Sequence, residues 1–464
     1  MNLLNRYLTG RRFLLLTVFC LVLRSVMHVA AQPTEIGAYQ ITRTSESNVD
    51  FFTTNYGIFG LDILNGRSGL IWPASTTRRY LFGAGFWFGV RKYVADSGRL
   101  VPLVLMGYNP NSGASEFTPG RAGDATADEG VDDSERGIGL NRLYNSTDHD
   151  RLTGALLENP DAWPLWPVWL DPVLEAANPM YAGSFLPEPE QRLDAESNGW
   201  SPAFFVDQEF FSVYRDNDLS RYQVGAANAA ALGYPLGIEV QSRVFAWADG
   251  RAKDAVILTY AFINRSNDTL HDCYFSPVLD PDVGQATNDR VSTVIAERAL
   301  DTLNMAQAWS ESSNGDNAYG YFGIDMLATP AVDGAGFLRT DRPFYPPEEQ
   351  VGLSSVRNWV IDNDPRTIPE RYEFMSTDYF DGDNGAGDKR ILISSGPFSM
   401  APGDTARFAV ALLFAEGTHT IRTGTDNENL IALSSWLQQR FDRGMRAVSS
   451  VRQLGEIIRR LNLE

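Results

Sequence analysis

Up to residue 425 the sequence carries almost no helical periodicity. Short alternating or apolar runs dominate it, separated by Gly, Pro, Asn and Asp. Successive side chains of a strand point to opposite faces, so this pattern predicts an all-β protein with antiparallel sheets. Ile238, Val240 and Val244 alternate with Glu239, Gln241 and Arg243, as in a half-buried strand. Ala255 to Ile263 is apolar on both faces and reads as a central strand. Asn264 to Thr269 is rich in turn formers, and Leu270 to Leu279 reads as the returning strand of a hairpin. Arg390 to Ser394 and Thr405 to Phe414 are expected strands, with Pro402-Gly403-Asp404 turning the chain into the second. The expected fold is mainly β: a large antiparallel β-sandwich, as one or two sandwich layers or domains.

The last segment obeys a different period. Leu430, Leu433, Leu437, Phe441, Met445 and Val448 recur at helical spacing, and Val451, Leu454, Ile458 and Leu461 continue the stripe. This predicts a C-terminal amphipathic helix, or two, since Gly444 weakens the middle. Such a helix either packs on the sandwich or docks a partner. The expected organisation is a leader at 1–31, a β-rich region with long polar and aromatic loops at 32–200, a sandwich at 201–425 and the helix at 426–464.

The leader has the layout of a signal peptide. Arg6, Arg11 and Arg12 precede an apolar run from Phe13 to Leu23, and Val29-Ala30-Ala31 offers small residues for cleavage. That run is too short to span a bilayer, which takes about 20 residues. Export is therefore expected, with no transmembrane segment left after cleavage. Removing residues 1–31 takes four arginines and no acid, so the net charge goes from −19 to −23. A surface that acidic repels phosphate backbones, which argues against nucleic-acid binding. Only Cys273 remains of two cysteines, so no internal disulfide is expected, and the 26 Phe, 18 Tyr and 10 Trp must supply the core.

No phosphate-binding loop, GxSxG elbow or HExxH motif occurs. Gly83-Ala84-Gly85-Phe86-Trp87-Phe88-Gly89 runs into strand-forming aromatics, so its glycines are expected at a bend or bulge. His271 and Cys273 share a face by alternation, which is weak support for a nucleophile and base. Acidic clusters carry more. Asp280 and Asp282 flank Pro281, and Asn288 and Asp289 follow. Hard oxygen ligands grouped in this way suit Ca²⁺. A second group comprises Asp378, Asp381, Asp383, Asn384 and Asp388, with Asp381, Asp383 and Asp388 as its candidate ligands. The bland reading of both is solvated turns. Trp163, Trp166 and Trp169, spaced by prolines, form an aromatic loop that either caps a sheet or stacks on a sugar.

Several motifs together resemble a known group. They are Gly83 to Gly89, Glu116-Phe117-Thr118-Pro119-Gly120, Pro235-Leu236-Gly237-Ile238-Glu239-Val240, Phe262-Ile263-Asn264-Arg265-Ser266, Asp280-Pro281-Asp282-Val283-Gly284, and Gly396-Pro397-Phe398 with Pro402-Gly403-Asp404-Thr405. The series is similar to large exported proteins of Bacteroidota and related Gram-negative bacteria. Many of these carry a C-terminal type IX secretion sorting domain. Here the helix runs to Glu464 without one, which counts against surface anchoring by that route. The resemblance implies an exported, β-rich protein and transfers no catalytic residue. The pair Ala255 to Leu279 is also similar, at fold level only, to sugar-handling domains such as the mutarotase-like supersandwich.

The expectation is an exported protein of the cell envelope or exterior with a binding or structural role. Its partner would be a protein or glycan, and Ca²⁺ would pin the Asp280 to Asp289 loop. The alternative is a carbohydrate-binding or carbohydrate-active protein using a carboxylate pair.

Overall fold

The computed structural model describes residues 39–63, 65–94, 98–120, 132–133, 138–139, 143–148, 207–294, 304–311, 319–342, 344–419 and 423–445. Two large antiparallel sheets face each other. The first runs in spatial order Ile41–Arg43, Asp50–Thr54, Leu70–Ile71, Arg79–Val94, Leu270–Pro281, Lys389–Met400 and Ser355–Val360, with Arg99–Met106 also paired to Arg79–Val94. The second runs Tyr144–Asn145, Gln208–Arg215, Ile238–Ala246, Ala255–Asn264, Thr405–Ala415, Tyr321–Ala328, Met305–Ser310 and Asp289–Val294. The mainly β, sandwich-like architecture expected from the alternating runs is thus present. The expected boundary at residue 200 does not divide the sheets. Arg79–Val94 pairs with Leu270–Pro281, and Tyr144–Asn145 pairs with Gln208–Arg215.

The core lies between the sheets and is largely aromatic. Phe88 of the first sheet stacks on Phe262 of the second at 4.7 Å, and Phe275 meets Phe408 at 4.3 Å. Each such ring pair adds about 0.5–1.5 kcal/mol beyond its area burial.

The expected hairpin over residues 255–279 is not formed. Ala255–Asn264 belongs to the second sheet and Leu270–Pro281 to the first, so the intervening turn carries the chain across the sandwich. Phe262 and Phe275 meet across the core at 5.2 Å. Both strands are buried on both faces, so alternation could not say which neighbour each one takes. The turn after Met400 crosses in the same way, and Asn264 fastens the two crossings. Its backbone N–H donates to Asp404 O at 3.0 Å, and its side-chain amide donates to Asp268 O at 2.8 Å and Ala401 O at 3.2 Å.

Gly83, Gly85 and Gly89 lie inside the long strand Arg79–Val94, whose register with Leu270–Pro281 shifts twice, between Leu81 and Gly83 and between Gly89 and Arg91. The bulge expectation therefore holds beside Gly83 and Gly89 and not at Gly85. Gly85 serves close packing, because a Cβ would stand 2.6 Å from Tyr108 Cβ and 2.9 Å from Gly57 O.

Three helices are described: α1 (Ala226–Leu232), α2 (Ile368–Ser376) and α3 (Glu428–Met445). Helix α2 covers the outer face of the first sheet, where Tyr372 and Met375 pack with Trp87, Tyr274 and Trp359. Helix α3 covers the second sheet, burying Leu430, Leu437 and Phe441 against Met305, Trp309 and Leu413. Ser434 Oγ donates to buried Asp325 at 2.6 Å beneath it. Of the two readings of the C-terminal stripe, residues 428–441 follow the one packed on the sandwich. No described helix is long and apolar enough to cross a membrane.

Candidate functional site

The two acidic groups converge instead of forming separate sites. Asp280 ends the strand Leu270–Pro281, and Arg390 lies on the adjacent strand Lys389–Met400. Arg390 Nη1 donates to Asp280 Oδ1 at 2.6 Å and to Asp388 Oδ1 at 2.7 Å. Arg290 bridges the groups again, to Asp383 at 2.7 Å and to Glu311 at 2.7 Å. Asp381 accepts from the Asn358 backbone N–H at 2.7 Å, and Lys389 Nζ donates to Asn384 Oδ1. The backbones of Asp289 and Gly387 exchange hydrogen bonds, which sews the two loops together.

Arginine bonds Asp280, Asp381, Asp383 and Asp388 of the candidate ligands, whereas among the described residues none bonds Asp282, Asn288 or Asp289. Asp280, Asp282, Asn288 and Asp289 do lie in one region, yet among the described residues no three His, Cys, Asp or Glu side chains gather in a geometry that holds a metal. Burial pushes the Asp289 carboxyl up to about 9, and the Asp282, Asp280 and Asp388 charges push the same way. Burial and Asp388 likewise raise Asp282 to about 6. Asp289 Oδ1 accepts from Val283 N–H at 2.9 Å, while its Oδ2 is buried without a hydrogen bond.

The other sequence candidates do not assemble. Asp272 adopts φ 44° and the register shifts between His271 and Tyr274, so the alternation that placed His271 beside Cys273 fails. Cys273 is sealed in the inter-sheet core, where burial pushes its thiol up, and His271 lies edge-on to Phe337. Trp163, Trp166 and Trp169 lie outside the described residues.

A site that the sequence reading missed opens between the hairpin Arg79–Val94/Arg99–Met106, helix α1 and the start of helix α2. It is a cavity of about 770 Å³. Val94, Val101, Leu103, Met106, Leu232 and Ile368 form its apolar wall. Exposed Leu232 and Val224 stand at its lip, and exposed Tyr93 and Leu100 face each other across the neighbouring hairpin.

Two charged side chains enter this apolar space. Glu116 and the Met106 backbone are mutually bound: Met106 N–H donates to Glu116 Oε2 at 2.9 Å, and Glu116 N–H donates to Met106 O at 2.9 Å. Burial pushes the Glu116 carboxyl up to about 8; the Asp216 charge adds to the rise, and the Met106 N–H and the Arg371 charge oppose it. Arg371 projects from helix α2 and is 7% exposed. Among the described residues its guanidinium forms no hydrogen bond or ion pair. Burial lowers its pKa, against the Glu116, Tyr234 and Asp364 charges.

The floor behind them is rigid. Asp216 accepts from Leu236 N–H at 2.6 Å, Ile238 N–H at 2.8 Å and the Tyr222 hydroxyl at 3.1 Å. Tyr234 Oη donates to Val104 O at 2.8 Å and accepts from Val104 N–H at 2.9 Å. Helix α2 starts at a capping box: Thr367 Oγ1 accepts from Glu370 N–H at 3.3 Å and Glu370 Oε2 accepts from Thr367 N–H at 2.9 Å. The T-x-x-E signature at 367–370 was available in the sequence, and it places Arg371 one residue on. Glu116 stood among the resemblance motifs without a role.

Comparisons with known proteins leave the assignment to the geometry. No family model matches the chain, and no curated protein matches it. Among solved structures, a copper-containing benzylamine oxidase from Hansenula polymorpha is similar at 9% identity and TM-score 0.35, covering 83% of this chain and 61% of that one. An amine oxidase from Aspergillus nidulans aligns at 10% identity and TM-score 0.30, covering 82% of this chain and 50% of that one. The chain thus spans less than two thirds of the length of either structure, and at these TM-scores the likeness carries no argument about function.

Proposed function

We propose that this is an exported binding protein that takes a partly apolar small ligand into the cavity beside Glu116 and Arg371. The leader at 1–31 supports export. One observation carries the binding role: an apolar cavity of about 770 Å³ that contains a buried guanidinium with no partner among the described residues. Ligand sites are typically concave and mostly apolar, with a few convergent polar groups. A scaffold gains little from a cation held largely away from water with no ion pair, whereas an anionic ligand in the cavity would pair with it. Glu116 and Arg371 offer recognition of charge, and the described lining holds no nucleophile–base pair, so a binding role fits better than catalysis.

Titration of the full-length chain with the neutral fluorophore N-phenyl-1-naphthylamine tests this. Saturable, blue-shifted fluorescence is expected. The substitution Ala231→Trp, at an exposed position of helix α1 on the cavity wall, should abolish it without changing the melting temperature. Absence of saturable binding, or equal binding by the folded A231W variant, would overturn the reading.

A further inference from the structure

We propose that the cavity selects an amphiphile with a single carboxylate head group, held between Arg371 and Glu116 with its apolar chain along the Val94–Leu103–Ile368 wall. This rests on the binding reading above and specifies its ligand class.

The charges around the site argue for one negative charge on the ligand. Arg371 is buried and unpaired among the described residues, so it seeks one anion. Glu116 stays largely protonated at neutral pH, because burial pushes it up to about 8. It therefore presents a donor and not a competing anion. Asp216 behind it is occupied by three donors, and Asp364 accepts from Trp359 Nε1 at 2.5 Å. Glu370 is turned back onto Arg366 N–H at 2.7 Å and Thr367 N–H at 2.9 Å. Arg366 lies at the exposed lip, in water. Within hydrogen-bonding reach of the cavity the interior thus offers the Arg371 guanidinium and the largely protonated Glu116, while the Asp216 and Asp364 charges lie behind them.

A planar guanidinium matches a carboxylate with two parallel hydrogen bonds. A phosphate monoester carries close to two charges near neutral pH, and the second would be left buried without a counter-ion. The apolar wall, continued outward by Leu232 and Val224, suits a hydrocarbon chain and not a sugar's ring of hydroxyls.

The test is displacement of N-phenyl-1-naphthylamine at pH 7 by three ligands of equal chain length: dodecanoate, dodecanol and dodecyl phosphate. Dodecanoate should displace the dye at about ten- to hundredfold lower concentration than dodecanol, the range expected for hydrogen bonds to a charged group. Dodecyl phosphate should be weaker than dodecanoate. In Arg371→Leu the preference for dodecanoate over dodecanol should vanish while the dye still binds, and Arg371→Lys should keep part of it. Equal displacement by dodecanoate and dodecanol in the wild-type protein would overturn the proposal while leaving the binding reading intact; that comparison needs no variant. Stronger displacement by dodecyl phosphate would overturn the carboxylate assignment. If the dye does not bind at all, the binding reading fails and this proposal fails with it.

Discussion

Arg390 and Arg371 are both buried guanidiniums on elements of the first sheet's side of the molecule, and their surroundings differ. Arg390 Nη1 has Asp280 at 2.6 Å and Asp388 at 2.7 Å and also donates to Lys389 O at 2.9 Å, while its Nε is buried without a partner. Arg371 faces a cavity, and its guanidinium bonds to nothing among the described residues. A buried ion pair can be a neutral element of a scaffold, because each partner offsets the other's desolvation. A cation that lines an open cavity has no such fixed partner, and an anion from outside the fold can take the place of water beside it. Arginine satisfies much of the acidic loops, while Asn288 Oδ1 and Asp289 Oδ2 stay buried there without a hydrogen bond. The quiet apolar segment around Leu103 and Met106 lines the cavity in which the proposed ligand would sit.

The comparison breaks most readily at Arg390. Arg390→Met would leave Asp280 buried with no cation, and breaking a buried pair from one side costs about 3–5 kcal/mol. Urea denaturation should show a loss of that size. Arg371→Leu removes a cation without orphaning a fixed partner, so it should change stability by less than about 1 kcal/mol. Equal losses for the two variants would mean that Arg371 is structural as well.

The next effect is in pH. Both regions hold a carboxyl raised by burial, Glu116 to about 8 and Asp289 to about 9. A carboxyl raised in the fold is protonated there while the unfolded chain has already ionised, so unfolding releases a proton. Stability from this source is fully present below the ordinary carboxylate pKa and is lost as pH rises through the folded value. The wild-type protein should therefore lose stability between about pH 4.5 and 8 on account of Glu116, and between about pH 4 and 9 on account of Asp289. Glu116→Gln should flatten the first part by roughly 2–4 kcal/mol, and Asp289→Asn the second. Chemical denaturation from pH 4 to 9 reads both. A Glu116→Gln curve parallel to that of the wild type would show that the carboxyl titrates normally and meets water.

The sequence displayed what is periodic and local. The strands near 255–263 and 405–414 follow from short apolar runs bounded by turn formers, and the helix carrying Leu430, Leu437 and Phe441 follows from spacing, since burial of one face sets it. Strand partners were hidden. Leu270–Pro281 is buried along nearly its whole length, so no polar face marked which sheet it would join. Acidic density drew attention to Asp280–Asp289 and Asp378–Asp388, but Arg290 and Arg390, which satisfy much of it, come from strands whose neighbours only the topology fixes. Glu116 and Arg371 are far apart in the chain and each is unremarkable beside its own neighbours. Their value arises when the hairpin, the loop before helix α1 and the start of helix α2 close one cavity.

Calcium provides the smallest expected effect and the sharpest check on the acidic side of the comparison. If Arg390 and Arg290 occupy the cation's place, millimolar Ca²⁺ and EGTA should give melting temperatures within about 1 °C of each other. A ligand present at ten times its dissociation constant would stabilise the fold by about 1.4 kcal/mol, enough to be seen by differential scanning calorimetry. The carboxylates least committed to arginine are Asp282 and Asp289, and both are pushed toward the neutral form by burial and by neighbouring carboxylates, Asp388 acting on Asp282 and Asp282, Asp280 and Asp388 acting on Asp289. A strong cation could reverse that by ionising them. A Ca²⁺-dependent rise of several degrees that disappears in Asp289→Asn would therefore place a metal in this cluster, and the distinction between a satisfied acidic scaffold and an unsatisfied basic cavity would no longer separate structure from function.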